Sequence, residues 1–262
     1  KNRLIKEACQ VKGRRSLIEG LQQRLAACQK GLSAYLQTKR DAFPRFFYIS
    51  DDELLSILGS SDPENVQKQI RKMFSNCGKL IFKQGGKVVN GMLSPEGEQF
   101  LFGTQVMAEN VVEKWLTDVD NEMKESLKHL TKGAVFHYPK SNRIDWIKDN
   151  LGMVSLAGSQ IWWTWEVEDA FRRVKQGDKT AVKDLSVKLT NQLNDLVDNV
   201  RTKLSSQGRQ KITTMIIIDV HARDIVDNLV RDSILDDREF EWESQLRFYW
   251  DKEANNCKIR QC

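Results

Sequence analysis

The sequence predicts a mainly α protein: elongated, stacked helical bundles with a small antiparallel β meander and a strand-like C-terminal end. Three observations carry that prediction. Apolar residues recur at steps of three and four over most of the 262 residues, one glycine-punctuated region breaks that rhythm, and the last twenty or so residues turn strand-like, with aromatic Phe248, Tyr249 and Trp250.

The first helix is marked by Leu17, Leu21, Leu25, Cys28, Leu32 and Leu36, which fall on one face, with Leu4, Ala8 and Val11 extending the stripe backward. It should stop before Pro44, because a proline disfavours helical geometry in the residue ahead of it and lacks an N–H to donate. Residues 16–40 alone would then span ~37 Å at ~1.5 Å per residue. Phe46, Phe47, Tyr48 and Ile49 read as an extended run wedged into the joint to exclude water. Ser50 or Asp51 caps the next helix, with Leu54, Leu55 and Leu58 on its buried side.

Asp62 and Pro63 open a further helix expected over residues 63–76. The stretch 79–102 holds three short apolar runs separated by Gly85-Gly86, Asn90-Gly91 and Pro95 to Gly97, as a meander requires. A helix is expected over 107–130, broken by residues 133–139. A less regular stretch around Trp146 and Ile147 follows, and then a helix over 153–174. Trp162, Trp163 and Trp165 in that helix cover more than half its circumference, so at least one should meet solvent or a partner. Helices over 180–206 and 210–234, joined by SSQGR, should pair as an antiparallel hairpin before residues 239–262 become strand-like. The chain thus divides into 1–58 (long helix and joint), 59–106 (short helix and meander), 107–234 (helical bundle) and 235–262 (strand-like junction).

Composition narrows the function classes. Forty-one basic and thirty-six acidic residues give a net charge of +5, but the two signs are interspersed as on solvated helix faces, so direct nucleic-acid binding is not expected. No apolar stretch approaches the ~20 residues of a membrane span, and the start has no secretory core, so neither membrane nor secretion is expected. Cys9, Cys28, Cys77, Cys257 and Cys262 are odd in number and scattered, which favours free thiols. The pattern begins inside a helix and stops on a strand, as expected of a segment of a larger protein.

Motifs for chemistry are missing from the sequence. There is no GxxxxGK[ST]: before Gly86-Lys87 the earlier glycine position holds Ile81, and Val88 stands where a hydroxyl is needed. GxGxxG, HExxH and GxSxG are absent too, and His129, His137 and His221 are far apart, so no catalytic residue, cofactor-binding residue or metal ligand is assigned. The best enzymatic candidate is Asp219, His221, Arg223 and Asp224. On a helix Asp219 and Arg223 share a face while His221 points ~200° away, which favours an i,i+4 ion pair with His221 capping or bonding a neighbouring element; on a strand all three would point the same way. Trp163 is expected as core between helices, Phe46 as filling of the joint, and Trp242 as an anchor of the last strands. Arg45 should stack on one of the aromatic rings of the run it sits in, or pair with Asp51 or Asp52.

The segment KRDAFPRFFYISDDELLSIL (39–58) resembles the C-terminal part of the linker in dynein heavy chains. LSPEGEQF (93–100), VEKWL (112–116), GSQIWWTWEVEDAF (158–171), IDVHARDIV (218–226) and FEWESQLRFYW (240–250) agree with that family in order and spacing. IDVHARD and SQIWWT resemble axonemal chains, most of all the outer-arm β type. The resemblance implies a lever lying across a ring of AAA+ modules, with CKIRQ (257–261) just before the first module. ATP and Mg2+ would be bound in that downstream ring, and the fragment would be no enzyme itself and would move as a rigid body. The ring of the same heavy chain is the implied intramolecular partner. Intermediate and light chains, and microtubules through a separate coiled-coil stalk, are met by other regions. The implied location is the cytoplasm and cytoskeleton, in the axoneme of a cilium or flagellum. Two rival readings are a spectrin-like helical scaffold, which leaves the meander unexplained, and a hydrolase built on residues 219–224.

Overall fold

The structure, a computed structural model, describes residue 5, residues 12–109 and residues 111–262. The backward extension of the first stripe and Cys9 lie outside the described residues. The fold is 65% helical, with a three-stranded antiparallel sheet and a two-stranded one near the C-terminus. The chain forms two compact units, residues 1–90 with 105–120, and residues 91–104 with 121–262.

In the first unit, helix α1 (Arg14–Ala42) ends where Pro44 requires, with Phe43 in an extended conformation. Its apolar stripe is only partly covered. Leu36 is buried, whereas Leu17, Leu21, Leu25 and Leu32 are exposed. Pro44–Tyr48 is a 3₁₀ turn, not the expected extended run. The Phe46 amide donates to the Phe43 carbonyl at 3.0 Å, and Pro44 supplies the first turn position without an amide to satisfy. That three-residue repeat turns Phe43 and Phe46 inward, with edge-to-face rings 5.0 Å apart, and leaves Phe47 and Tyr48 at 58% and 68% exposure. Phe47 therefore does not fill the joint. Helix α2 (Asp51–Leu58) opens on Ser50 and Glu53, which bond reciprocally as a capping box, and it buries Leu54 and Ile57.

A 3₁₀ turn, Pro63–Lys68, and a short α3 (Ile70–Met73) replace the single helix expected over 63–76. The Gln67 amide bonds both the N–H and the carbonyl of Leu80, at 2.9 and 2.7 Å, and Phe74 leaves helical geometry to bring its ring 6.4 Å from that of Phe43. These two attachments outweigh the local helix propensity.

The sheet runs β1 (Lys79–Lys83), β2 (Val88–Leu93) and β3 (Gln99–Met107) in sequence order. Gln84, Gly85 and Gly86 turn between the first two strands with positive φ. Asn90-Gly91 is not a turn; it lies inside β2. A Cβ on Gly91 would stand 2.3 Å from the Phe100 carbonyl oxygen, so the strand needs glycine for close backbone approach. Helix α4 (Val112–His137) begins after β3 and runs through Gly133, where a break was expected; it stops only before Pro139, in the 3₁₀ turn Tyr138–Lys140.

In the second unit, Asn142 caps α5 (Arg143–Asp149), which orders the stretch expected to be irregular. Helices α6 (Gly152–Lys175), α7 (Ala181–Val200) and α8 (Ser206–Arg231) follow. The predicted loop SSQGR instead supplies the start of α8, because Ser205 accepts from the Gly208 amide as an N-cap. Ser186 near the start of α7 bonds Asp227 near the end of α8, and Arg209 bonds Val200, so the two helices are antiparallel as expected. A short α9 (Phe240–Glu243) interrupts the expected strand-like end, before β4 (Arg247–Asp251) and β5 (Asn256–Arg260) pair antiparallel with Trp250 opposite Cys257. One core cluster gathers Trp163, Phe171, Leu185, Val226 and Trp242, and another Trp146, Leu196, Ile212 and Met215. Among the described residues no helix is long and apolar enough to cross a membrane.

Cys28, Cys77, Cys257 and Cys262 are free, and burial pushes the Cys77 thiol up to about 12 from the ordinary 9.0. Its contribution to stability is complete below pH 9.0. It is lost as pH climbs towards about 12, because the unfolded chain gives up the proton that the folded one keeps. Urea midpoints at pH 8 and 10.5 should therefore fall further for the native chain than for Cys77→Ala. The same measurement at pH 7 should show Gly91→Ala destabilised by about 2 kcal/mol through the backbone clash. Gly133→Ala, in open space on a helix, should be stabilised by about 0.5–1 kcal/mol.

Candidate functional site

Two sets of interlocking side chains occupy the motifs that the sequence singles out. The first closes the joint between α1 and α2. The Arg40 guanidinium donates to the carbonyls of Phe46 and Ile49, at 3.4 and 3.2 Å, and pairs with Asp51 at 2.8 Å. Arg45 donates to the Met73 carbonyl at 3.0 Å, pairs with Asp120 at 2.9 Å, and lies 4.5 Å from the centre of the Phe74 ring. The ring it meets is Phe74 and not one of the aromatic run around it, and Asp51 and Asp52 are not its partners. Lys39 meets Glu113 at 2.5 Å, and that hydrogen bond holds the Lys39 pKa above its usual value. Phe46 is completely buried behind these cations.

The second set lies in the helical bundle. Trp146 and Trp162 donate their indole N–H groups to the Ala134 and Val135 carbonyls, each at 2.9 Å, in the last turn of α4. Tyr138 lies between them, edge-to-face with Trp146 at 5.0 Å and stacked on Trp162 at 5.4 Å. Gly158 allows α6 to press on Trp146, since a Cβ there would stand 2.9 Å from the indole. From α5, Arg143 reaches both carboxylate oxygens of Asp219 on α8, and its Nη2 donates to Ser159 at 3.0 Å. Side-chain exposure is 14% for Arg143 and 11% for Asp219. Desolvation works against the Arg143 charge, but the hydrogen bonds and charge of Asp219 more than offset it and hold the pKa above its ordinary value.

The helical spacing suggested an Asp219 pair with Arg223; Asp219 pairs instead with Arg143. Arg223 meets Asp224 at 2.5 Å and Asp227 at 3.8 Å. His221 is exposed and, among the described residues, bonds to no neighbouring element. The four residues of the enzymatic candidate do not converge, and the cavity beside Arg143 and Asp219 measures only about 10 Å³, too small for a substrate. Among the described residues no three His, Cys, Asp or Glu groups are placed to hold a metal ion.

Trp163 is buried, as expected, and packs edge-to-face on Trp242 at 5.3 Å; Trp242 is fully buried and also meets Phe171 at 6.0 Å. Trp242, expected to anchor the last strands, lies in α9 just before them and packs on α6. Thr164 accepts from the Phe248 amide at 3.0 Å and Glu168 from the Tyr249 hydroxyl at 2.6 Å, fixing β4 on α6. Trp165, at 49% exposure, is the tryptophan of the cluster that meets solvent.

Sequence reasoning missed Arg40, Arg143 and Trp146. One signal was present for Arg143. Asp219 falls in register with the buried residues Ile212, Met215, Ala222, Val226 and Leu229, and an acid inside an apolar stripe requires a cation from elsewhere.

A family model described as dynein heavy chain, N-terminal region 2, matches residues 1–134. The chain is 55% identical over 262 residues to the dynein-1-alpha heavy chain of the flagellar inner arm I1 complex of Chlamydomonas reinhardtii. It is 50% identical over 266 residues to human dynein axonemal heavy chain 10. Both matches cover all of this chain and 6% of the relative. The ciliary dynein beta chain of Tripneustes gratilla is 38% identical over 251 residues, 94% of this chain and 6% of that one. The β type favoured by the motifs therefore matches at lower identity than the other two.

Arg143→Ala should destabilise the chain by about 3–5 kcal/mol in urea unfolding, because it strands a buried carboxylate. Arg143→Met with Asp219→Leu should cost well below the sum of the two single changes. A single-variant loss under about 1 kcal/mol would remove the pair from its proposed place in the bundle.

Proposed function

Because the chain belongs to the axonemal dynein heavy chains of the cilium and flagellum cytoskeleton, we propose that it is the C-terminal part of the linker of such a heavy chain. It spans 6% of the length of the curated relatives it matches, so the motor activity of a whole heavy chain belongs to this reading and not to these residues alone. In it, ATP is hydrolysed with Mg2+ in a downstream AAA+ ring of the same polypeptide. The linker contributes no chemistry and carries the resulting displacement. Its partner is that ring. Intermediate and light chains and microtubules are met through other regions.

The observation that supports a lever best is the joint at residues 39–58. A proline between two helices is ordinarily a hinge. Here Arg40 and Arg45 tie the intervening turn to α2, to the end of α3 and to the start of α4, while Phe43 and Phe46 fill its interior. Bending there would break several charged hydrogen bonds at once. The uncovered stripe of Leu17, Leu21, Leu25 and Leu32 also fits a larger assembly, in which further linker helices of the heavy chain lie against α1.

Two measurements test the reading. Spin labels at Gln37 and Ser56 of an intact heavy chain should keep one separation, within about 2 Å, through all nucleotide states, whereas a labelled pair between the linker and the ring should not. The purified 262-residue chain should not turn over ATP. A nucleotide-dependent bend between the two labels, or turnover lost in His221→Ala, would remove the lever account.

A further inference from the structure

The cavity beside Arg143 and Asp219 is too small for a substrate, yet its wall is polar and it lies where four helices meet. Arg143 comes from α5, Ser159, Trp163 and Glu166 from α6, Gln192 from α7 and Asp219 from α8. Its volume of about 10 Å³ is room for one water-sized sphere.

Two residues of that wall carry donors without acceptors. The terminal nitrogens of Arg143 go to both oxygens of Asp219 and, at 3.0 Å, to Ser159, but its Nε is buried and, among the described residues, bonds to nothing. The indole N–H of Trp163, a residue only 6% exposed, is in the same condition. Trp146 and Trp162, in contrast, each donate to a backbone carbonyl at 2.9 Å. An N–H taken out of water and given no acceptor forfeits a bond that the unfolded chain makes. Two such groups around one small space cost more than ordering a single solvent molecule between them.

The chemistry of the wall narrows the occupant. It must offer lone pairs to two N–H groups, which no metal cation does. A polyatomic anion exceeds the space and would meet the carboxylates of Asp219 and Glu166. Water satisfies both demands: it accepts twice, and those carboxylates can take its own hydrogens.

From this geometry we infer that the cavity is a binding site for one structural water, which accepts from Arg143 Nε and Trp163 Nε1. The water ties α5 to α6 beside the Arg143 and Asp219 pair, and it completes the hydrogen bonding of the guanidinium. The assignment does not depend on the lever reading, since it rests on the cavity and its donors.

The test is a high-resolution crystal structure of the 262-residue chain. One solvent peak should lie within about 2.7–3.2 Å of both nitrogens. In Trp163→Phe, which keeps an aromatic ring and removes the donor, the peak should weaken or vanish while Arg143 stays on Asp219. In solution, NOE and ROE signals between the Trp163 indole proton and water should have opposite signs, the mark of a molecule held far longer than surface solvent. The exposed Trp165 indole should show equal signs. Density without a peak, a peak bonded to only one of the two nitrogens, a peak unchanged in Trp163→Phe, or equal signs at Trp163 overturns the inference. So does a peak whose height and contacts identify a chloride or a metal ion. Should Trp163→Phe fail to fold, the unsubstituted crystal and the Trp163 indole signal still decide.

Discussion

A helix that stops leaves its last four carbonyls without partners, and in this protein those carbonyls are where distant parts of the chain attach. Trp146 and Trp162 take the Ala134 and Val135 carbonyls at the end of α4, and Arg45 takes that of Met73 at the end of α3. Lys211 takes the Asn150 carbonyl just after α5, and Arg209 that of Val200, the last residue of α7. Each of these bonds satisfies a carbonyl that a helix end leaves without a partner, and each ties one element to another. All of these donors are cations or indoles, long enough to cross an interhelical gap.

The Arg143 and Asp219 pair extends that logic from backbone to side chain. Replacing a buried ion pair by apolar groups is often harmless to stability, so its presence is better explained by specificity. An apolar stripe lets two helices slide by a turn at modest cost. A guanidinium gripping both oxygens of one carboxylate, with Ser159 on its flank, admits a single register. The IDVHARDIV motif contributes its aspartate to that grip, and the SQIWWT motif contributes Ser159 along with Trp163 and Thr164.

Helices with partners inside the chain were legible in the sequence, and so was the meander. The stripes of α6, α7 and α8 coincide with their buried faces because those helices cover one another. For α1 the stripe identified the helix but not its burial, since no described residue covers its first half. The joint was misread because an aromatic, β-branched run favours extension, whereas Pro44 and the inward demand of both Phe43 and Phe46 select a three-residue repeat. Gly133 was misread as a break because glycine is a poor helix former. Twenty-five other residues of α4 carry the helix past it. Arg45 with Asp120 and Arg143 with Asp219 are separated by 75 and 76 residues, and no local pattern specifies which of many charges will meet.

The length of α1 gives the closed joint a quantitative meaning. Twenty-nine residues extend ~43 Å at ~1.5 Å each, so every degree of angular play at Pro44 would move the far tip of the helix by ~0.75 Å. A slack of ten degrees there would blur the tip's position by more than a full helical pitch. The arginine ties beside the proline thus act as a tolerance specification: the precision with which one end of a long rod is aimed is set within a few residues of the other.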